Sequence, residues 1–581
     1  MNYILRGAVF ARVFGCLVNA LACSSYAHRA DEPGGALQKA ATNTCPEAPV
    51  DLCALPSPLM DLAERALSEN RAGAPPVHYA SIVDDGSDAL GARLHVIRAA
   101  RKSIEIQVFI WSADTVGAAM LRELQEAARR GVRVRLILDQ LASSSDIELA
   151  TVLAVVHENL EVRYYRPIAK KISAGWLDYF WSVVHRTWRT QQRMHNKLIV
   201  VDSRLLIVGG LNLADEYFDV DPEFNFSDRD VIIAGPVAVT ARESFERYWQ
   251  SPEVVPAHDL YDVHKRLFDR GVQQPVPDSI NSVRRDIKPI EHVLARIDDP
   301  AYIRNAFAAP AIRIGEVSLV ADDPDKVDPD AETDVPATLV VIQARLSEAK
   351  SSILIQTPYL LLTEENLEGI QQLNVTHPEI RVRISTSSLS ATDSPLVYGV
   401  YYKLRTEYMN TTNMEIHEYK GHPRDGLQFN KNYIELADLN PTEAAAWRKK
   451  LEADPNTPLT DELRGPRFGL HAKAIVVDNR RVVIGSHNFD PRSITINTEV
   501  VLSIDDEAFA QAMTRSIEKY MKPGNSWTIA PKARNAVTPV NTCLSAGSRA
   551  LPVFDIYPWT GTGSFQMIEN GADLRRNDAE F

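Results

Sequence analysis

Two unlike segments of this 581-residue chain occur twice, in the same order and at nearly the same separation. Arg101-Lys-Ser-Ile-Glu-Ile-Gln107 carries a strand signal and is matched 249 residues later by Lys350-Ser-Ser-Ile-Leu-Ile-Gln356. Val132-Arg-Val-Arg-Leu-Ile-Leu138 is matched 248 residues later by Ile380-Arg-Val-Arg-Ile384. Between the first pair, Thr115 to Arg130 has helical periodicity and stops at Gly131, so the unit is strand, helix, strand, suited to a parallel or mixed sheet. Constant spacing of unlike elements marks an internal duplication. The chain is therefore expected to fold as two similar α/β halves.

The duplication extends to groups that carry chemistry. Met194-His195-Asn196-Lys197 runs through Leu-Ile-Val-Val to Asp202 and is followed by Gly209-Gly210-Leu211-Asn212. His471-Ala472-Lys473 runs through Ala-Ile-Val-Val to Asp478 and is followed by Gly485-Ser486-His487-Asn488. The Asn falls 17 positions after the His in both. A chance His-x-Lys-x4-Asp match is expected about 0.04 times in a chain of this length, so two with the same downstream Asn are no accident. On a strand, residues i and i+2 share a face, which sets each imidazole beside an ammonium. Two such strands would surround one point with two imidazoles, two ammoniums and two carboxamides, which suits a tetrahedral phosphoryl group. One His can attack phosphorus while the other protonates the leaving oxygen. Lysines beside the histidines would repel a cation, so no catalytic metal and no cofactor are expected. Asp202 and Asp478 complete the catalytic motifs as supporting hydrogen-bond acceptors.

Composition limits the rest. With 45% hydrophobic and 24% charged residues the chain can bury a large core, and its net charge of −13 argues against a nucleic-acid partner. Arg6 and Arg12, an apolar stretch from Val13 to Ala22 and the small residues Ser25 and Ala27 read as an export signal over 1–27. That stretch, about ten residues, is well under the roughly 20 that span a bilayer. Lipidation at Cys23 is the alternative, and either places the protein in the cell envelope, periplasmic or membrane-associated. Cys45 and Cys53 would form a disulfide in an exported chain. An extended arm is expected over 28–76, the first half over 77–272, a Pro-rich acidic linker over 273–336, the second half over 337–531 and a tail over 532–581.

These motifs resemble those of the phospholipase D superfamily, and more narrowly those of bacterial cardiolipin synthases of the C type. The narrower resemblance rests on Arg193 to Lys197, Gly209 to Phe218, Asp228-Arg-Asp230, Ala321 to Val327, Ser388 to Asp393, Asn488 to Ser493 and Asn497-Thr-Glu499. It implies two αβαβα halves with mixed sheets about a pseudo-twofold axis, both motifs meeting at the junction. It implies that Asp230 and Glu499 are equivalent carboxylates orienting the histidines, and that Asn212, Asn488 and Ser486 support the phosphate. Two places depart from the family pattern, near Tyr398 and at Arg467-Phe-Gly-Leu470, and both are expected to touch lipid or acceptor.

Aromatic and basic residues alternate from Arg163 to Arg189, among them Tyr165, Lys171, Trp176, Phe180 and Trp181, which suits a membrane interface. The combined reading is a phosphatidyltransferase or phosphodiesterase acting on glycerophospholipids through a phosphohistidine, with cardiolipin as a candidate product. The alternatives are a hydrolytic phospholipase D, a phosphodiesterase or nuclease for another substrate, and a catalytically inactive membrane-binding module. Oligomeric state is not legible in the sequence.

Overall fold

The computed structural model describes residues 53–143, 145–269, 287–326, 335–460, 463, 465–531, 565–569 and 572–573. The export segment, Cys23 and Cys45 lie outside the described residues; Cys53 is disulfide-bonded.

The first half contributes β1 (His78–Val83), β2 (Ser103–Val108), β3 (Arg133–Asp139), β4 (Leu160–Tyr165), β5 (Leu198–Val201), β6 (Leu205–Gly209), β7 (Phe224–Ser227), β8 (Asp230–Ala234), β9 (Val254–Pro256) and β10 (Ile312–Ile314). All but β7 form a mixed sheet in the order β10-β1-β8-β6-β5-β2-β3-β4-β9. The second half contributes β11 (Val317–Ala321), β12 (Ser352–Gln356), β13 (Arg381–Ser387), β14 (Glu415–Tyr419), β15 (Arg467–Leu470), β16 (Ala474–Val477), β17 (Arg481–Gly485), β18 (Val500–Asp505), β19 (Ser526–Pro531), β20 (Phe565–Glu569) and β21 (Ala572–Asp573). All but β15 form the second sheet, β11-β18-β17-β16-β12-β13-β14-β19-β20-β21. The run β8-β6-β5-β2-β3-β4 thus recurs as β18-β17-β16-β12-β13-β14, parallel from β2 to β4 and from β12 to β14, and antiparallel at β2/β5 and β12/β16.

Local chemistry explains these elements. The Asp114 side chain caps the helix Thr115–Arg129 by accepting from the Gly117 N–H. Gly131 then adopts φ 97°, a left-handed conformation that glycine takes without strain, and turns the chain into β3. Both β5 (Leu-Ile-Val-Val) and β16 (Ala-Ile-Val-Val) are buried on both faces, as a sheet covered on both sides requires. Each enters a tight turn through an aspartate with positive φ, Asp202 at 53° and Asp478 at 54°. The Asp202 carboxylate accepts the backbone N–H groups of Arg101, Lys102 and Ser103 at 2.6–2.9 Å. Asp478 does the same for Lys350, Ser351 and Ser352 at 2.8–2.9 Å. These carboxylates pin the start of β2 and β12, at the strand ends remote from the histidines; they are fold residues and not members of the catalytic group.

The layers are α, β, α, β, α. The helices Val237–Trp249 and Glu507–Met521 lie between the two sheets, and Leu206, Val208, Val231 and Ile233 share one apolar cluster with Val476, Val482, Ile484 and Leu502. A separate cluster fills the outer face of each sheet.

Three expected boundaries move. The extended arm is not extended throughout, because Pro58–Glu69 is a helix that buries Leu59, Met60, Ala63 and Ala66 in the first-half core. The linker supplies an edge strand to each sheet: β10 pairs with β1 and β11 with β18, so the second half begins at β11 and not at 337. From the tail, β20 extends the second sheet through β19.

Because the inter-sheet layer belongs to both halves, Leu206→Ala is expected to lower stability by about 2–5 kcal/mol, the usual cost of a truncated core leucine. Denaturant unfolding measures it, with Val340→Ala, at an exposed position, expected to shift stability by less than about 0.5 kcal/mol.

Candidate active site at the junction of the halves

The two strands left out of the large sheets join the halves. β7 and β15 pair in parallel, ending at Ser227 opposite Leu470. The next residues continue the contact: the His471 N–H donates to the Ser227 carbonyl at 2.9 Å, and His471 Nδ1 meets Asp228 Oδ2 at 2.6 Å. The mirror arrangement uses a single bridge between Met194 and Thr498. There the His195 N–H donates to the Thr498 carbonyl at 2.9 Å, and His195 Nδ1 meets Glu499 Oε2 at 2.9 Å. Each imidazole is therefore held by a carboxylate from the other half.

The histidines and lysines do not sit on strands, as the i, i+2 pattern suggested. They occupy short irregular links immediately before β5 and β16. Each Lys turns back onto its own motif: Lys197 Nζ donates to the His195 carbonyl at 2.8 Å, and Lys473 Nζ to the His471 carbonyl. An ammonium has three donors, so two remain on each for a ligand. Phe109 packs edge-on to His195 at 5.0 Å, while Tyr217 and Phe226 flank His471 at 5.3 and 4.9 Å.

Asp230 does not orient a histidine. Its carboxylate is paired with the buried Arg93 guanidinium. The sheet register shows why: Gly209 pairs with Asp230 while its counterpart Gly485 pairs with Val501, so Asp230 corresponds to Val501 and Asp228 to Glu499. Both Asp228 and Asp230 stand in the Asp-Arg-Asp triplet, and matching them by proximity to a strand selects the wrong one.

The remaining polar residues complete the picture. Ser486 Oγ donates to the Glu499 carboxylate. Asn212 is buried and accepts from the Ile110 N–H at 3.2 Å, which leaves its amide nitrogen as a donor. Asn488 is buried with its carbonyl oxygen unpartnered. A strap that sequence reasoning quoted without a role, Asp322 to Lys326, fixes the backbone at Glu499. The Asp322 N–H donates to the Glu499 carbonyl at 2.9 Å, and Asp322 Oδ2 accepts the Glu499 N–H at 3.1 Å. Lys326 Nζ spends its donors on Asp322 and on the carbonyls of Ser493 and Asn497 at 2.7–2.8 Å.

Burial dominates the electrostatics. It lowers the Lys197 ammonium to about 7 and the Lys473 ammonium to about 8, against the opposing pull of Glu499 on the first and Asp228 on the second. It lowers the His471 imidazole to about 4, assisted by Lys473, and lowers His195 as well. Burial also raises the Glu499 carboxyl, but the His195 and Lys197 charges outweigh it and hold Glu499 at about 2. The two carboxylates are thus ionised, and each engages Nδ1 of its imidazole, which leaves Nε2 to take up or give a proton or to bond a ligand.

Against the His471 side, Tyr217 and Phe226 open onto a cavity of about 630 Å³ that also touches Glu216, Asp393, His422 and Arg467. Of the two places that depart from the family pattern, Arg467 lines this cavity, whereas Tyr398 is buried and donates to Glu418 beside Tyr401 and Arg405. The aromatic stretch divides too. Tyr164, Tyr165 and Arg166 are buried on and just beyond β4, while Trp176, Leu177, Phe180 and Trp181 stand 44–78% exposed on the helix Trp176–Gln191. Among the described residues no helix is long and apolar enough to cross a membrane.

The family model for "Cardiolipin synthase, PLD-like domain" matches residues 94–249 and 342–521, which contain both His-Lys pairs, both asparagines and both orienting carboxylates. An uncharacterized protein of Helicobacter pylori (strain ATCC 700392 / 26695) is 30% identical over 477 residues, 81% of this chain and 84% of its own. Cardiolipin synthase C of Escherichia coli (strain K12) is 29% identical over 435 residues, 74% of this chain and 81% of its own. Among solved structures, phosphatidylserine synthase of Haemophilus influenzae Rd KW20 aligns over 80% of this chain and 90% of its own, with 14% identity and a TM-score of 0.48.

Two outcomes are expected from this geometry. A Cβ at Gly210 would lie 2.1 Å from Asp228 Oδ1, so Gly210→Ala pushes the carboxylate off His471 and, like Asp228→Asn, should cut kcat by about 10² to 10⁴ in a protein that still folds. Steady-state kinetics with circular dichroism of the same samples tests both. Binding of inorganic phosphate at pH 8 is expected to take up protons, because an anion raises lysines that burial has lowered to about 7 and 8. Calorimetry in two buffers of different ionisation enthalpy reads the uptake, and affinity should fall as pH rises through that window.

Proposed function

The chain belongs to the PLD-like cardiolipin synthase family, and on that premise we propose that it transfers phosphatidyl groups between glycerophospholipids through a covalent phosphohistidine. It is an enzyme of the phospholipase D superfamily. The observation that carries the proposal is the pair of crossed carboxylate–imidazole contacts, Glu499 to His195 and Asp228 to His471, which engage both Nδ1 atoms and leave both Nε2 atoms for the reaction.

The chemistry follows from those groups. One ring enters neutral and its Nε2 attacks phosphorus; the P–O bond to the departing alcohol breaks, its oxygen taking the Nε2 proton of the other ring, which enters as an imidazolium beside its ionised carboxylate. That second imidazole, now neutral, removes the proton from an incoming hydroxyl, whose oxygen forms the new P–O bond as the P–N bond breaks. Lys197 and Lys473, with the Asn212 amide, donate to the non-bridging oxygens as their charge grows. Burial favours transfer over hydrolysis: both histidines and both lysines are under 7% exposed, so bulk water has little access to a phosphorus held among them.

A lipid substrate is supported by the apolar part of the cavity wall, Ile110, Tyr217, Phe224, Phe226 and Leu389, and by Leu396, 80% exposed beside the cavity residue Pro395. The exposed rings of Trp176, Phe180 and Trp181 suit the headgroup level of a membrane. A net charge of −13 does not suit a nucleic-acid substrate.

His195→Ala and His471→Ala are each expected to lose at least about 10² in kcat with an unchanged fold, since no other group in the site can take either step. Turnover of a phosphodiester by both variants within about tenfold of the unmodified enzyme would discard the mechanism. Phosphatidylglycerol with a second phospholipid is expected to yield more cardiolipin than phosphatidic acid, read by mass spectrometry of extracted lipids. Dominant phosphatidic acid at saturating phosphatidylglycerol would identify a hydrolytic phospholipase D instead.

A further inference from the structure

A second cavity, of about 430 Å³, opens in the second half between the helices Ala337–Ser347 and Glu364–Thr376. Its walls are mainly apolar, with Leu346, Ile353, Ile355, Ile370, Leu373 and Phe489, and carry polar side chains from the two helices, among them Gln343, Asn366 and Gln372. Among its described lining residues there is no lysine or arginine, and Glu365 is present, so it does not suit a phosphate or another anion.

One polar wall residue differs from the others in having both of its polar side-chain atoms buried and unpartnered. His487 is only 7% exposed, and neither ring nitrogen has a hydrogen-bond partner. Buried polar atoms are nearly always satisfied, so a ring left with both nitrogens bare asks for a missing partner. Burial lowers its pKa against the pull of Glu499, Asp322 and Asp490 and with the help of Lys326, and a neutral imidazole offers one donor and one acceptor.

The internal duplication shows that the fold does not require this histidine. The equivalent residue of the first half is Leu211, buried in the apolar core. There the helices Gly86–Ala99 and Thr115–Arg129 pack directly on each other. The first half fills the space, whereas the second leaves it open and turns an unsatisfied imidazole into it.

We propose that this cavity binds one acyl chain of the glycerophospholipid substrate, with the His487 N–H donating to the ester carbonyl at the head of the chain. The proposal rests on the phosphatidyl-transfer reading above and names a substrate subsite for it. The volume lies in the range of ligand pockets, and a mainly apolar lining with a few polar groups is how such pockets hold an amphiphile. His487 stands between Ser486, bonded to Glu499, and Asn488, so a carbonyl held there is one residue from the reacting centre.

Gly369 provides a clean test. It lines the cavity within the helix Glu364–Thr376, and a Cβ built on it meets nothing within 4 Å. Gly369 is exposed, so Gly369→Trp starts its side chain in open space at the rim of the cavity, and replacing a helix-interior glycine does not weaken the helix. Two readouts are needed: fluorescence of cis-parinaric acid, with displacement by oleate, and kcat/KM for dioleoyl and dibutanoyl phosphatidylglycerol. The unmodified enzyme is expected to bind the probe and Gly369→Trp to lose at least tenfold in probe affinity and in dioleoyl kcat/KM, with dibutanoyl turnover and thermal midpoint unchanged. His487→Leu, which restores the first-half residue, should weaken dioleoyl KM and leave free-acid probe binding intact, since the ester contact alone is removed. Failure of the unmodified enzyme to bind the probe, equal binding by Gly369→Trp, or equal losses with both lipids would overturn the acyl site. Probe binding that Gly369→Trp abolishes, in an enzyme that turns over neither lipid, would support the acyl site and overturn the phosphatidyl-transfer reading instead.

Discussion

Each imidazole of this protein is positioned by a carboxylate that the other half supplies, and much of the architecture serves that exchange. The contacts span 304 residues for His195 and Glu499 and 243 for Asp228 and His471. Side chains that far apart in sequence can be held within hydrogen-bond distance only on a rigid frame. The frame is the apolar layer that both sheets share, reinforced by the β7/β15 pair on one side and the Met194/Thr498 bridge on the other. Because the carboxylates are buried and charged, they would be costly without their histidine and amide partners. The same contacts that fix the chemistry therefore also penalise any sliding of one half over the other.

The halves are related but not interchangeable. Gly210 and Ser486 occupy equivalent positions, and each matches the length of the carboxylate beside it. The short Asp228 leaves no room for a Cβ at Gly210, whereas the longer Glu499 reaches past Ser486 and accepts its hydroxyl. The lysines differ in the same sense, at about 7 and about 8, as do their ring neighbours, one aromatic side chain at His195 and two at His471. Two histidines in unlike surroundings suit a reaction in which one forms the bond to phosphorus and the other handles protons.

Legibility from the sequence followed physical locality. Strands β2, β3, β12 and β13 and the helix capped by Asp114 were readable because apolar periodicity and a terminating glycine are local signals. The two motifs were readable because duplication made each the control for the other. Asp228 was missed in favour of Asp230 because the choice depends on sheet register, and a slip of two residues keeps the same face and the same composition. The strands β10 and β11 were hidden in a Pro-rich acidic segment, since short edge strands take their order from the sheets they join and not from their own pattern. Asp202 and Asp478 were counted in the catalytic motifs, and their reading as supporting hydrogen-bond acceptors holds: they accept backbone amides at the start of β2 and β12 and touch neither histidine.

The crossed pairing has a consequence in time as well as in space. A chain is made from its N-terminus, so His195 and Lys197 exist long before the residue that completes them. Until Glu499 has emerged and β18 has docked beside β17, the first imidazole has no carboxylate to fix its tautomer, and the second half has not yet brought its own imidazole to Asp228. A growing chain therefore carries every chemical group of the first motif in a silent form. The crossed site is therefore complete only when both halves have been made and docked, and a chain that stops before Glu499 lacks the carboxylate of its first imidazole.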